Sequence, residues 1–241
     1  MANKFKFGDK TTLDFGMHVE RYPVQKGAAR KYSTVSVMGR NGDLHFLQDA
    51  FDNYVQPYEC YFHGDLPTPE QAHAVKAWLM SSGAYLRLED TYDPNYFRLA
   101  SFLGPLDIEN ILNKYGRCTV NFDCAPQSFL KSGEHAVTFT AAGILHNPTQ
   151  YTALPIITVY GSAAGTVTVG TTTVQINAIA DPIILDCDLQ HAYSQPGEGA
   201  PVNQNGNIKA IPFPSLAPGS NVISFSGGIT KIEIIPRWWE L

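Results

Sequence analysis

The sequence predicts a mainly β protein, in which an N-terminal α+β domain with one helix precedes a C-terminal β-sandwich. Short stretches of alternating polar and apolar residues recur along the chain, bounded by glycine, proline and asparagine, as is typical of strands. Helical periodicity is clear only in the first half. Charges are sparse in the second half, where residues 136–241 contain 3 of the 17 Lys and Arg and 6 of the 22 Asp and Glu. This composition fits a sandwich with tight turns.

The composition also limits the classes of function. A chain of 241 residues has room for one large β domain or two smaller ones. Its formal net charge of −5 argues against a protein that binds nucleic acid by neutralising phosphates. No apolar run approaches the ~20 residues that span a bilayer, and the first residues lack the apolar segment of a secretory signal. We therefore expect the protein to work where it is made or to leave the cell by lysis.

The first half opens with strands and a hairpin. Alternation of polar and apolar residues predicts strands, in order, at residues 4–8, 13–22, 32–38, 44–47 and 54–62. Asn41-Gly42 separates the third of these strands from the fourth and marks a tight turn, because both residue types accept positive φ. The sequence therefore predicts a hairpin over residues 32–46.

A single helix follows these strands. Thr68 is a suitable N-cap, Pro69 suits the first helical position, and Gln71 completes a capping box with Thr68. An apolar face recurs at helical spacing through Ala72, Val75, Trp78 and Leu79. Gly83 is expected to end the helix in a left-handed conformation. Trp78 is interpreted as a core residue rather than a ligand contact.

The remaining elements are again strands. In the first half they are predicted at residues 84–88, 96–102 and 115–124, with Pro126 as the stop signal. In the second half, a hairpin is expected around Gly170, and further strands are expected at residues 182–188, 190–193, 221–226 and 230–236. Gly227-Gly228 is expected to separate the last two strands, and residues 194–207 are predicted to form a long loop.

The stretch of residues 144–161 is predicted to join the two domains. Asn147-Pro148 favours an extended or turning backbone, because the proline ring crowds the preceding residue. Pro155 suits the start of a strand, since a proline further in would interrupt the ladder. Residues 156–160 then alternate as a strand does. We place the domains at residues 1–137 and 138–241, with Asn147, Pro148 and Pro155 as candidate joint residues.

The motifs of common enzymes are absent from the sequence, and we predict no catalytic, cofactor or metal site. Asp186 and Asp188 could be paired carboxylates, but they flank Cys187 on a strand and are interpreted as solvent-facing. Cys118 and Cys124 are in phase with apolar residues of one strand and are interpreted as buried thiols. Trp238-Trp239 could stack on a sugar, although packing onto a domain or a partner is the favoured interpretation.

Several segments, in this order, carry a resemblance to a known family. They are residues 13–19 (LDFGMHV), 37–43 (VMGRNGD), 76–79 (KAWL), 115–122 (YGRCTVNF), Asn147, 155–161 (PIITVYG), 218–221 (PGSN) and 232–238 (IEIIPRW). In this order the segments resemble the distal tail protein family of siphophages along nearly the whole chain. One departure is Met38, where the family usually has proline before Gly-Arg.

The resemblance implies a non-enzymatic structural protein of the phage tail tip. The N-terminal domain would form a six-subunit ring that continues the tail tube, and the C-terminal domain would be a galectin-like β-sandwich. The implied partners are the tail tube protein, the tail-associated hub or fibre protein and, in some phages, receptor-binding proteins. The implied location is the tail tip of the virion, after assembly in the host cytoplasm.

Two hypotheses of function remain open at this level. In the first, the protein is an assembly hub, and the hairpin reaches a neighbouring subunit through a tip formed by Val37, Met38, Gly39, Arg40, Asn41 and Gly42. In the second, the C-terminal sandwich is a carbohydrate-binding module that contacts the host cell wall. Residues 162–230 contain only three aromatic side chains, which disfavours a sugar platform. A wall hydrolase would have only Asp186 and Asp188 to rely on.

Overall fold

The structure is a computed structural model that describes residues 3–63, 68–112, 114–197, 199–210 and 212–241. The chain divides into two compact units, one reaching Ser128 and including Leu241, the other comprising Phe129–Glu240. Among the described residues, no helix is both long and apolar enough to cross a membrane. The protein is mainly β, as the sequence predicts.

The first unit contains one helix among its described residues, α1 (Thr68–Leu79). Its strands are β1 (Phe5–Phe7), β2 (Lys10–Thr11), β3 (Met17–Val19), β4 (Arg30–Val35), β5 (Leu44–Phe51), β6 (Tyr54–His63), β7 (Leu86–Asp90), β8 (Tyr96–Ser101), β9 (Ile108–Leu112) and β10 (Tyr115–Leu130), whose last two residues belong to the second unit. The main sheet has the order β2-β1-β7-β8-β10-β6-β3, and β9 also pairs with β10. Strands β4 and β5 form a separate two-stranded sheet.

The helix covers this sheet through its apolar face. Val75, Trp78 and Leu79 are buried, as the helical spacing predicts. The Trp78 ring stacks on Phe15 at a centroid distance of 4.7 Å, and its indole Nε1–H donates to the carbonyl oxygen of Phe7 at 3.2 Å. Trp78 is therefore a core residue with its one polar group satisfied. The helix ends at Leu79, before the Gly83 that the sequence indicated.

Two strand predictions in the first unit are wrong at their ends. Residues 13–22 are not one strand, because Thr12–Phe15 forms a 3-10 turn before β3. The Thr11 N–H donates to the Asp14 carboxylate at 2.7 Å, and Gly16 takes a φ of 62°, so this local turn competes with extension.

Pro126 does not stop β10. The ladder with β6 ends at Cys124, so the proline lies where that ladder needs no N–H.

The second unit is built from strands. They are β11 (Val137–Phe139), β12 (Gly143–Asn147), β13 (Ile156–Val169), β14 (Thr172–Ile176), β15 (Ile183–Asp186), β16 (His191–Ser194), β17 (Val202–Asn203), β18 (Ile208–Lys209), β19 (Gly219–Ile235) and β20 (Trp239–Glu240). The predicted hairpin around Gly170 is β13–β14. The predicted loop at residues 194–207 also contains β17 and a 3-10 turn, Asn205–Asn207.

The two long strands β13 and β19 bend the sheet into two layers. The start of β13 pairs with β15 and the end of β19, whereas its last residues pair with β14 and the start of β19. Both halves contribute to one core, formed by Leu145, Ile157, Val159, Val167, Val169, Val174, Ile176, Ile183, Leu185, Ile223, Ile232 and Ile234. The curled sheet thus covers its own apolar face. The galectin-like description of this unit stays a prediction.

Gly227-Gly228 does not separate two strands, which corrects the sequence prediction. Both glycines lie inside β19, at the register irregularity opposite β13. A Cβ atom at Gly228 would lie 2.5 Å from the Cβ of Ala163, and one at Gly161 would lie 2.4 Å from the carbonyl oxygen of Gly228. Glycine is required here because two backbones approach closely where the sheet bends. The sequence signal for a turn therefore marks a bulge.

Candidate functional site

An exposed hairpin is the most distinctive surface of the first unit. We call β4, β5 and the turn between them the arm (residues 30–51). Its two strands pair with each other in the register Tyr32↔Leu47 to Val35↔Leu44, so the predicted hairpin is present and extends beyond residues 32–46. An isolated two-stranded ribbon is marginally stable in water, and its outer edges present unpaired backbone groups. Such an element gains stability from a partner.

The tip of the arm (residues 36–43) has a defined turn. The Arg40 N–H donates to the carbonyl oxygen of Val37 at 3.1 Å, and the Ser36 hydroxyl donates to the Asp43 carboxylate. Gly39 and Gly42 have φ values of 82° and 78°, which favour glycine. The predicted interface residues are all brought together at this tip: Val37, Met38, Gly39, Arg40, Asn41 and Gly42. Their role in a ring stays a prediction.

Large apolar side chains are exposed on both faces of the arm. Met38 at the tip is fully exposed, and Tyr32, Phe46 and Leu47 each expose more than half of their surface. Phe46 and Leu47 are neighbours in β5, so they point to opposite faces. Tyr32 and Leu47 are direct partners in the register and so share one face. Scattered exposed apolar residues are ordinary, but several of them on one small element are typical of an interaction surface.

The base of the arm is fixed by contacts that the sequence prediction missed. The Asp52 N–H donates to the carbonyl oxygen of Ala29 at 2.8 Å, and the Asp52 carboxylate is 3.6 Å from Lys31 Nζ. The Arg30 guanidinium lies over the Phe51 ring at 5.0 Å. These contacts join the two strands of the arm to each other at its base. In the sequence, these contacts could have been indicated by the positively charged residues at the start of β4 and the aromatic residue at the end of β5.

The candidate joint residues lie within the second unit, because the chain divides earlier, after Ser128. Asn147 is buried and binds other parts of this unit. Its Nδ2 donates to the carbonyl oxygens of Tyr151 at 2.9 Å and Leu216 at 3.0 Å, and its Oδ1 accepts from the Thr149 N–H at 2.9 Å. Asn147 therefore holds the loop between β12 and β13 against a distant segment.

The two prolines of the predicted joint differ in their surroundings. Pro148 is exposed, whereas Pro155 is buried just before β13, and its carbonyl oxygen accepts from the Cys187 N–H at 3.1 Å. Pro155 thus lies at the start of a strand, as the missing N–H predicts. The assignment of ring-forming and galectin-like roles to the two sides of a joint stays a prediction.

The chain enters and leaves the second unit at the same place, which the sequence did not indicate. The Leu130 N–H donates to the carbonyl oxygen of Trp238, and the Arg237 N–H donates to that of Gly133, both at 2.9 Å. A Cβ atom at Gly133 would lie 2.5 Å from the backbone nitrogen of Trp238. Glycine is needed at this crossing because no side chain fits between the two segments.

Asp186 and Asp188 do not form a pair of solvent-facing carboxylates, which corrects the sequence interpretation. Asp186 is buried, and its carboxylate accepts hydrogen bonds from the two terminal guanidinium nitrogens of Arg237, at 2.9 and 3.2 Å. Its Oδ1 also accepts the N–H groups of Asp188 and Leu189. This carboxylate therefore braces a turn and a distant strand end, while Asp188 remains exposed.

The tandem tryptophans pack within the second unit. Trp238 is buried in its core. Trp239 stacks on Tyr151 at a centroid distance of 4.4 Å, and its indole Nε1–H donates to the carbonyl oxygen of Thr152 at 3.0 Å. One face and the polar edge of Trp239 are therefore already used inside the unit, as the packing interpretation predicts. Binding of carbohydrate by this unit stays a prediction.

The fold of this chain is similar to that of a solved phage protein. The crystal structure of the Dit protein (gp 19.1) of phage SPP1, presented as a paradigm of the hub adsorption apparatus in phages that infect Gram-positive bacteria, is similar with a TM-score of 0.73. The similarity covers 100% of both chains at 10% sequence identity. No protein-family model and no curated protein matches the sequence. The likeness therefore lies in the fold, and a sequence identity of 10% does not show a family.

Proposed function

We propose that this protein is a structural, non-enzymatic component of the hub at the tip of a siphophage tail. The observation that carries the proposal is the full-length similarity of its fold to the SPP1 Dit protein. Fold by itself does not fix function, but a match over 100% of both chains includes both compact units in one order. The sequence segments that resemble distal tail proteins support the same function.

Within this proposal, six copies form a ring through the first unit. A ring needs a heterologous interface, in which one surface of a subunit contacts a different surface of the next. The arm is suited to be one of these surfaces, because its strand edges and apolar side chains lie outside the main sheet. Contact with a neighbour would cover the exposed edges of β4 and β5.

The ring would join the tail tube to the tail-associated hub or fibre protein, and it could also carry receptor-binding proteins. The second unit would then be an outward module. Its sparse charge and its tightly packed core are consistent with a structural role. We place the protein in the virion at the tail tip, following assembly in the host cytoplasm. Immunogold labelling of intact particles tests this location.

The mass of the purified protein in solution tests the ring. We expect light scattering to give the mass of six subunits and Met38→Asp to shift it towards the monomer, because a carboxylate buried in an apolar interface is strongly unfavourable. Replacement of Arg40 and Asn41 by alanine should also weaken assembly. Ile144→Asp is the matched control, since Ile144 is exposed on the second unit and should leave the mass unchanged.

Two results would count against this proposal. A protein that stays monomeric at high concentration, and forms no ring with tail proteins, would contradict the hub function itself. A six-subunit ring that survives both the Met38 and the Arg40-Asn41 variants would keep the hub function but remove the arm from the interface.

A further inference from the structure

The sequence contains two Asn-Gly pairs, and both are exposed. Asn41-Gly42 lies at the tip of the arm, and Asn205-Gly206 begins a 3-10 turn of the second unit. A Cβ atom built at either glycine would meet no heavy atom within 4 Å other than those of its chain neighbours, so water reaches both pairs. Exposure therefore does not distinguish the two pairs, and a difference in their reactivity must come from how firmly each is held.

Asn41-Gly42 lies outside the regular hydrogen bonds of the arm. The ladder between the two strands ends at the pair Val35↔Leu44. The turn at the tip closes at Arg40, whose N–H donates to the carbonyl oxygen of Val37 at 3.1 Å. In the part of the chain that the structure describes, the Asn41 side chain has no hydrogen-bond partner. Its amide can therefore rotate towards the backbone nitrogen of the following glycine without breaking a hydrogen bond.

Asn205-Gly206, by contrast, is fixed by hydrogen bonds. The Asn205 Oδ1 atom accepts from the Ala192 N–H at 2.6 Å, which holds the side chain against β16. The Asn207 N–H donates to the carbonyl oxygen of Gln204 at 2.9 Å, and this bond closes the turn around the pair. The amide of Asn205 can turn towards the next backbone nitrogen only after such bonds break, which requires local opening of the turn.

We propose that Asn41 is a site of spontaneous deamidation in the folded protein. The backbone nitrogen of Gly42, which no side chain shields, loses its proton to a base in the solvent and attacks the Asn41 Cγ atom. The Cγ–Nδ2 bond breaks, Nδ2 takes up a proton and leaves as ammonia, and a cyclic imide remains. Water then opens this ring at either of its carbonyl carbons and gives aspartate or isoaspartate. Overall, one water molecule is consumed, one ammonia is released, and no electrons are transferred.

The reaction changes both the charge and the backbone of the tip. Residues 36–43 carry only the opposite charges of Arg40 and Asp43, so conversion of Asn41 leaves the tip with a net negative charge. Isoaspartate also adds a carbon atom to the main chain. One consequence rests on the proposed function: a subunit that contacts its neighbour through the tip should be protected from the reaction. A converted subunit should assemble less readily, because burial of a new carboxylate is unfavourable.

Incubation of the folded, full-length Met38→Asp variant in water enriched in heavy oxygen tests the proposal. Met38 is fully exposed in the single chain, and the substitution should open any interface at the tip, so Asn41 stays accessible. Peptide mapping by mass should show oxygen uptake about tenfold faster at Asn41 than at Asn205, because reaction at Asn205 must first break hydrogen bonds. The rate at Asn41 should rise with pH, since the attacking nitrogen must lose its proton.

Two controls accompany this measurement. In the chain unfolded by guanidinium chloride, both Asn-Gly pairs should react at similar rates, because the hydrogen bonds that protect Asn205 are lost. In Asn41→Gln, the longer side chain would have to close a larger and less favourable ring, so oxygen uptake at the tip should disappear.

The outcomes separate the modification from the ring. Equal rates at Asn41 and Asn205 in the folded variant, or an unchanged Asn41 under conditions where the unfolded chain reacts at both sites, would overturn the proposal. The unaltered protein, compared with Met38→Asp, tests the protection. Slower conversion of Asn41 in the unaltered protein would support contact through the tip, whereas equal rates would overturn the protection alone and leave the modification in place.

Discussion

The cores of the two units are built from different side chains. The first is rich in aromatic and sulfur-containing residues, including Phe5, Phe7, Tyr58, Phe122 and Met17. The second consists mainly of isoleucine, valine and leucine. In the first unit a helix covers a sheet, and large rings fill the space between them. In the second, a sheet curls over itself, and β-branched side chains pack well on its pleated surface.

The buried polar groups of the two units also differ in their surroundings. In the first, Asp90 accepts from the Tyr58 hydroxyl at 2.7 Å and from Arg98 Nη1 at 3.3 Å, so a charged network lies beside aromatic rings. In the second, the ion pair of Asp186 and Arg237 lies at the end of the strands. Each unit therefore has its own way of holding distant segments together, and separate substitutions can test each one.

The largest effect is expected from Phe122→Ala in the first unit. The Phe122 ring contacts Phe5, Phe7, Tyr58 and Phe102 at centroid distances of 4.8 to 6.0 Å. Its removal should lower the free energy of unfolding by about 3–5 kcal/mol, because it leaves a cavity among rigid rings. Urea denaturation measures the loss, and hydrogen exchange should place it in the first unit. Phe46→Ala, on the exposed arm, is the control; equal loosening of both units would contradict separate cores.

A smaller effect is expected from Asp186→Asn in the second unit. The asparagine amide has one acceptor oxygen, so it cannot accept hydrogen bonds from both terminal nitrogens of Arg237. The partly buried guanidinium also loses its charged partner. We expect a loss of about 2 kcal/mol in the free energy of unfolding. The matched control is Asp188→Asn, which changes an exposed carboxylate two residues away. If the two variants were equally stable, the ion pair would not support this unit.

Alkaline pH should destabilise the two units to different extents, through the ionisation of buried groups. Burial raises the pKa of Cys124 and Cys187 to about 12 from 9.0, and the pKa values of Cys60 and Tyr58 are also raised. A group whose pKa is higher in the folded than in the unfolded protein stabilises the fold at pH values below its unfolded pKa. This stabilisation is lost as the pH rises through the folded pKa. Between about pH 9 and 12, each thiol with a pKa of about 12 should lower the free energy of unfolding by roughly 1 kcal/mol per pH unit.

The first unit holds three of these four groups, so its stability should fall more steeply as the pH rises. Urea midpoints at mildly and strongly alkaline pH, with hydrogen exchange to assign the unit, measure this difference. Cys124→Ala should reduce the slope for the first unit only. A steeper fall in the second unit would contradict the assignment.

Elements whose signals are local can be predicted from the sequence alone. Asn41-Gly42 located the tip of the hairpin, although the hydrogen-bonded turn lies at Val37–Arg40 and only Gly42 of the two takes a positive φ. Thr68 and Pro69 located the start of the helix, and the alternation around Val120 located β10. Cys118 and Cys124 were correctly interpreted as buried. These predictions hold because periodicity and turn chemistry depend on residues within a few positions of each other.

Features that depend on distant residues become visible only in the folded protein. It showed that the hairpin stands apart from the main sheet, that Gly227-Gly228 continues a strand against Ala163, and that Asp186 is buried against Arg237. It also placed the division of the chain after Ser128. Each of these follows from which segments meet across the fold, and the local pattern around a residue contains no record of that partner.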